Sequence, residues 1–279
     1  MSRMLWETRN PAGRLELDVQ QVSGSSAVVQ ASATSPLKLL TPRPRGRSVW
    51  AYVSSYGGGM VSGDEHHLDL TIGAGASAFF GTQSSTKVYR SPVGLPCLQR
   101  TRAILKEDSF LAWIPDPVQA FAGARYRQQQ EIRMAASAGL VWVDGFTAGR
   151  SERGEHWQFE EYRTRTELWV EGSRRWLDSV VLQDGPEIPI GVRMGSCQAM
   201  TLIVLWGPPL ATAVQALSET IQTRPAGRGA ATRLSASPLA GGLLIRVAGT
   251  TVEAVRRQTA ECLAFLPAFL GDDPLARKW

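Results

Sequence analysis

At 279 residues, 43% hydrophobic and 20% charged, the chain can bury a large core and has ordinary globular composition, which excludes a disordered or fibrous protein. Its formal charge of +5 comes from arginines that are scattered, not blocked, so a nucleic-acid stripe is not expected. Cys97, Cys197 and Cys262 lie far apart with no CxxC, which argues against a disulfide scaffold or zinc cluster.

From the start, residues 1–11 hold no apolar h-region, and nothing later approaches a membrane span, so a cytoplasmic protein is expected. Leu15, Leu17 and Val19 alternate with Glu16 and Asp18, the period-2 pattern of a half-buried strand, and residues 27–31 supply a partner across Ser23-Gly24-Ser25. Pro36-Leu37-Lys38-Leu39-Leu40 precedes a linker over 41–47 whose prolines cannot join a central strand. Residues 49–53 lead into Gly57, Gly58, Gly59 and Gly63, a turn suited to glycine because φ > 0 costs it nothing. Asp64 follows, placed where turn amides can hold a carboxylate.

Leu68, Leu70 and Ile72 alternate with Asp69 and Thr71; Gly73-Ala74-Gly75 then breaks the strand, and Ala78-Phe79-Phe80 is expected to return as the second arm of a hairpin. The hydroxyl and amide run 82–86, closed by Lys87, Tyr89 and Arg90, reads as a lined passage or an interface. Residues 102–105 and 110–114 flank a Lys-Glu-Asp turn, and Pro115-Asp116-Pro117 forces an extended or turning backbone. Residues 126–134 and 140–143 are expected to pair. Residues 157–170 alternate at length and turn at Glu171-Gly172-Ser173 into 176–182, the clearest hairpin in the sequence. Residues 201–206 form one further strand before Gly207-Pro208-Pro209.

Helical spacing comes late. Leu210, Val214, Leu217 and Ile221 share one face, with Pro209 in a tolerated first-turn position. Residues 243–247 read as a strand. A second helix opens on a capping box, Thr250 as N-cap and Glu253 three residues on, and Pro267 ends or kinks it. The expectation is a mainly β chain with two helices in its C-terminal part.

Several constellations invite chemistry. Gly73-Ala74-Gly75-Ala76-Ser77-Ala78 formally matches a dinucleotide fingerprint, but no helix is expected after it and no acid stands about twenty positions on, so it reads as a turn. His66-His67 beside Asp64 and Glu65 suggests a metal site. Neighbours on a strand face opposite ways, so the two rings cannot chelate one ion; an exposed polar strand start is the plainer reading, with a transient metal contact at Asp64 and His66 as the alternative. Asp144 and Asp178 interrupt apolar strands, and a buried carboxylate needs a partner or water. Each either pairs with an arginine, which the residues alone favour, or lines a hydrated passage with Asp64.

The segment Gly57-Gly58-Gly59-Met60-Val61-Ser62-Gly63-Asp64, followed by Thr82-Gln83-Ser84-Ser85-Thr86-Lys87-Val88-Tyr89-Arg90-Ser91, resembles the UreD (UreH) family of urease accessory proteins, with Ser62 and Gly81 replacing a more usual glycine and threonine. Pro115-Asp116-Pro117-Val118, then Phe121-Ala122-Gly123-Ala124-Arg125-Tyr126-Arg127-Gln128, and the strand ending in Gly149-Arg150 are similar to further segments of that family. The likeness spans about residues 15–270 in order, within one domain of 1–279. It implies two packed many-stranded sheets flanked by two helices. It also implies a non-enzymatic role: binding UreF, which recruits the GTPase UreG, docking on apo-urease, and passing nickel through a hydrated tunnel, with no tightly bound cofactor. Tunnel residues carried over by the resemblance are Asp64, Ser85, Thr86, Asp144 and Asp178. The competing readings are a β-scaffold enzyme using Asp64 with His66, and a sheet module that binds an acidic ligand through its arginines.

Overall fold

Alternating apolar residues build strands along almost the whole chain. The computed structural model describes residues 12–43, 46–183, 188–224, 227 and 229–276. Residues 1–11 and the Pro44-Arg45 part of the linker lie outside the described residues. β1 (Gly13–Val22) and β2 (Ser25–Ala33) form the expected hairpin, followed by β3 (Leu37–Leu40), β4 (Val49–Ser55), β5 (Glu65–Ile72), β6 (Ser77–Thr82) and β7 (Lys87–Val88). β8 (Cys97–Leu105), β9 (Phe110–Ile114), β10 (Val118–Ala120), β11 (Arg125–Met134) and β12 (Gly139–Thr147) occupy the middle. β13 (Glu161–Val170) and β14 (Ser173–Gln183) are the long antiparallel hairpin. The remainder is α1 (Ile190–Met194), β15 (Ala199–Trp206), α2 (Ala211–Gln222), β16 (Thr232–Leu239), β17 (Gly242–Gly249), α3 (Val252–Cys262) and α4 (Leu266–Leu270).

Two sheets result. A seven-stranded sheet runs β14-β13-β11-β8-β5-β1-β2, and a ten-stranded sheet runs β16-β17-β15-β12-β9-β6-β4-β3, with β10 and β7 attached beside β12. One apolar cluster, including Leu17, Leu70, Phe80 and Leu111, fills the space between them. A second, including Phe79, Val143, Ile203 and Leu210, lies between the larger sheet and the C-terminal helices. The mainly β sandwich with C-terminal helices is therefore as the sequence implies.

Two expected pairings are not made. β5 and β6 are not a hairpin: β5 pairs in parallel with β1 and β8, whereas β6 pairs in parallel with β4 and β9 in the opposite sheet. Gly73-Ala74-Gly75 thus carries the chain across the sandwich. β11 and β12, expected to pair, also lie in opposite sheets. The cause is stacking of successive crossings. Lys106 N donates to Ile72 O at 2.9 Å and Ala135 N to Leu105 O at 3.0 Å; at the other corner, Phe110 N donates to Ala76 O at 2.9 Å and Gly139 N to Ser109 O at 2.8 Å. Each crossing satisfies its backbone through the next one along the chain, a long-range solution that local pattern does not display.

The capping box is displaced by one residue. Thr251, extended at φ −140° and ψ 153°, is the N-cap of α3, and its Oγ1 accepts from Ala254 N at 3.1 Å. Thr250 lies too early to reach that amide. Pro267 stands in the first turn of the separate short α4, where its missing N–H is harmless. Among the described residues, no helix is long and apolar enough to cross a membrane.

Candidate functional site

Parallel pairing of β5, β8, β11 and β13 places equivalent positions side by side on the inner face of the smaller sheet. The register joins His66 to Gln99, Gln99 to Gln128, and Gln128 to Thr164 in one transverse row. The next row joins Thr101, Gln130 and Thr166 to Asp178 on β14. These are inward positions: Gln128, Gln130, Thr164 and Thr166 are all buried. From the opposite sheet, Asp144 on β12 reaches both rows. Its Oδ2 accepts from Gln128 Nε2 at 3.0 Å and from Gln130 Nε2 at 2.8 Å. Tyr126 donates its hydroxyl to Gln128 Oε1 at 2.7 Å, and Trp142 Nε1 donates to Gln130 Oε1 at 2.7 Å.

Two cavities meet at this carboxylate. A narrow one of about 60 Å³ is lined by Ser85, Thr86, His66, Gln99 and Asp144 among others. A wider one of about 250 Å³ is lined by Asp144, Thr164, Asp178, Thr201 and Arg246. The stacked rings of Phe80, Trp113 and Trp142, with centroids 5.0 Å apart at each step, lie beside them, and Trp113 lines the narrow one.

Burial sets the protonation states. It raises the Asp144 carboxyl to about 6, against the hydrogen bonds from Gln128 and Gln130. It lowers the His66 imidazole to about 4, with Asp64 acting in the opposite direction and His67 reinforcing the shift. Near neutral pH the cavity thus presents an anionic carboxylate and a neutral imidazole, whose Nε2 is buried without a hydrogen-bond partner. The Asp178 carboxyl is also raised by burial, and Arg246, 3.8 Å away, opposes that shift. A carboxylate, an imidazole nitrogen and spaced hydroxyls can solvate a divalent cation a few ligands at a time. Among the described residues, no three His, Cys, Asp or Glu side chains converge as a metal cluster.

The structure distributes the sequence-derived residues unevenly. Ser85, Thr86 and Asp144 share the narrow cavity, and Asp178 joins Asp144 in the wider one. Asp178 lies near an arginine, whereas Asp144 is held by amides, so the two acids follow different readings. Asp64 is not among the residues lining either cavity. Its Oδ2 accepts from Val61 N at 2.8 Å, which closes the glycine turn. In that turn Gly57 and Gly58 have φ of 79° and 72°. Gly59 has no room for a Cβ, which would meet Lys87 O at 2.5 Å. His66 is 4% exposed, so the exposed strand start expected there is corrected: the ring points inward and only His67 faces out, 3.6 Å from Glu65. Gln99, Gln128, Gln130 and Thr164 were not anticipated. Their signal was present: in β11 the inward positions read Tyr126, Gln128, Gln130, Ile132 and Met134, two amides where apolar residues are usual.

The sequence model of a family described as UreD urease accessory protein matches residues 11–279. A protein named Urease accessory protein UreD from Anaeromyxobacter sp. (strain Fw109-5) is 42% identical over 266 residues, covering 95% of this chain and 89% of the relative. One of the same name from Sorangium cellulosum (strain So ce56) is 45% identical over 269 residues, covering 96% and 85%. Urease accessory protein D from Arabidopsis thaliana is 33% identical over 288 residues, covering 92% and 98%.

Proposed function

The chain belongs to the UreD urease accessory protein family, and on that premise we propose that it is a non-enzymatic scaffold that conducts nickel to apo-urease. In this reading it works in the cytoplasm, in a complex with UreF and, through UreF, the GTPase UreG. Nickel is cargo. It enters past Ser85 and Thr86, passes His66 and Asp144, and leaves past Asp178. The observation that carries the reading is the position of Asp144, an ionisable carboxylate lining both inter-sheet cavities at once.

The ligand set suits transit more than storage. Hard oxygen donors and one imidazole nitrogen are spread along the interior, so each stage replaces part of the ion's hydration without enclosing it. Asp64 serves the route from outside by fixing the turn whose Gly58 lines the narrow cavity. Neither a β-scaffold enzyme nor an acidic-ligand module draws comparable support from a specific feature.

The test is urease activation at limiting nickel by purified complexes, with assembly followed by size-exclusion chromatography. Activation should require this chain, and UreF and UreG should co-purify with it and apo-urease. Equal activation without the chain overturns the proposal. Asp64→Asn separates turn from route: weakened assembly assigns Asp64 to the turn, whereas intact assembly with poor activation returns it to the ion path.

A further inference from the structure

The two amides that hold Asp144 are themselves held. A glutamine side chain offers N–H donors on one side and a carbonyl oxygen on the other, and half a turn about its last bond exchanges them. At Gln130 that choice is removed. Trp142 Nε1 lies 2.7 Å from Gln130 Oε1, and an indole N–H can only donate, so the carbonyl oxygen must face Trp142 and the amide N–H must face Asp144. Trp142 is fixed in turn by its stack on Trp113, 5.0 Å between centroids. At Gln128 the acceptor-only Asp144 carboxylate draws Nε2, and the buried Tyr126 hydroxyl donates to Oε1 at 2.7 Å; a hydroxyl also accepts, so Tyr126 favours this orientation where Trp142 imposes it. All four side chains are nearly inaccessible to solvent.

We propose that Tyr126 and Trp142 are positioning residues that keep the carbonyl oxygens of Gln128 and Gln130 turned away from a divalent cation passing Asp144. This rests on the transit reading given above. Affinity for a divalent cation grows with the number of oxygens that converge on it. With both amides free to rotate, Asp144 would gain up to two neutral oxygen ligands beside it, and the His66 nitrogen lines the same cavity. With both locked, the amides present N–H groups, which stabilise the carboxylate and repel the cation. At Asp144 the ion then meets the carboxylate with no amide oxygen beside it and is released. The lock separates a conduit from a trap.

Trp142→Phe keeps an aromatic ring in the stack but removes the N–H, which frees Gln130; Tyr126→Phe does the same for Gln128. In equilibrium dialysis against Ni²⁺ alone, accessory complexes carrying either variant should retain nickel about tenfold more tightly, as an added oxygen ligand would give. Their urease activation at limiting nickel should slow. Adding Gln130→Met to Trp142→Phe removes the freed oxygen and should return retention to the parent level. Unfolding would expose His66 and Cys97 as nickel ligands, so the lock is read only from variants with the parent's melting temperature and from the return of retention on adding Gln130→Met. Unchanged or weaker retention in both variants, with activation still sensitive to Asp144→Asn, overturns the lock and leaves the transit reading standing. Activation insensitive to Asp144→Asn overturns both.

Discussion

The two ends of one interior differ in chemistry while sharing the same strands. Toward their starts, just after Cys97, Tyr126 and Tyr162 of a third apolar cluster, β5, β8, β11 and β13 turn His66, Gln99, Gln128 and Thr164 inward. The next row is Leu68, Thr101, Gln130 and Thr166. Toward their ends, the same faces carry Leu70, Ala103, Ile132 and Leu168, then Ile72, Leu105, Met134 and Val170. Backbone, register and pleat are alike at both ends. Because the strands are parallel, their polar halves align into rows; in an antiparallel sheet the same sequences would scatter them. One end is therefore an apolar core and the other holds the two cavities that Asp144 lines. A single sandwich supports both because each buried amide near Asp144 has partners on both sides.

The largest expected contrast is in stability. Leu70→Ala at the apolar end should cost about 2–5 kcal/mol, from lost transfer free energy and the cavity left behind. Thr164→Val in the polar row keeps the shape and should cost about 1 kcal/mol or less. Denaturant unfolding checks both. Equal costs would mean that the polar row is packed like the core and lines nothing.

The next contrast is in pH. His66 titrates near 6.5 when unfolded and at about 4 when folded, so the unfolded chain binds the extra proton between those values. Its contribution is present above 6.5 and lost as pH falls toward 4. Asp144 has the opposite sign: its pKa rises from 3.8 to about 6, so its contribution is present below 3.8 and lost as pH rises through about 6. Between pH 4 and 6 the two nearly cancel. His66→Gln should therefore gain on the parent as pH falls across that window, and Asp144→Asn should gain as pH rises, each by about 3 kcal/mol at one proton per group. Thermal unfolding at a series of pH values reads the slopes; parallel curves for parent and variants would place both groups in contact with bulk water.

The smallest effect lies outside both ends. Thr251→Ala removes the cap of α3 and should cost about 1 kcal/mol while leaving urease activation unchanged at permissive temperature. A drop in activation without a drop in melting temperature would make the start of α3 a functional surface.

Much of this architecture was legible in the residues. Leu15-Leu17-Val19, the hairpin around Glu171-Gly172, and the faces of α2 and α3 announce their elements through period and turn chemistry alone. Asp144 and Asp178 stood out as acids among apolar strands. The crossings at Gly73-Ala74-Gly75 and at residues 135–138 were misread, because their hydrogen bonds run to the neighbouring crossing about thirty residues away. The glutamine row was missed for a related reason. Gln128 and Gln130 look like surface residues in a polar run until the burial of Tyr126 and Ile132 fixes which face they share.

The most direct test of the proposed nickel route is activation of apo-urease at limiting nickel by complexes carrying Asp144→Asn. The substitution keeps shape while removing the one charge that, among the described residues, lines both cavities; at an effective dielectric near 20, a charge pair a few ångströms apart is worth about 4 kcal/mol. Normal assembly with activation reduced by orders of magnitude is the expected result. Full activation by an intact complex would contradict it.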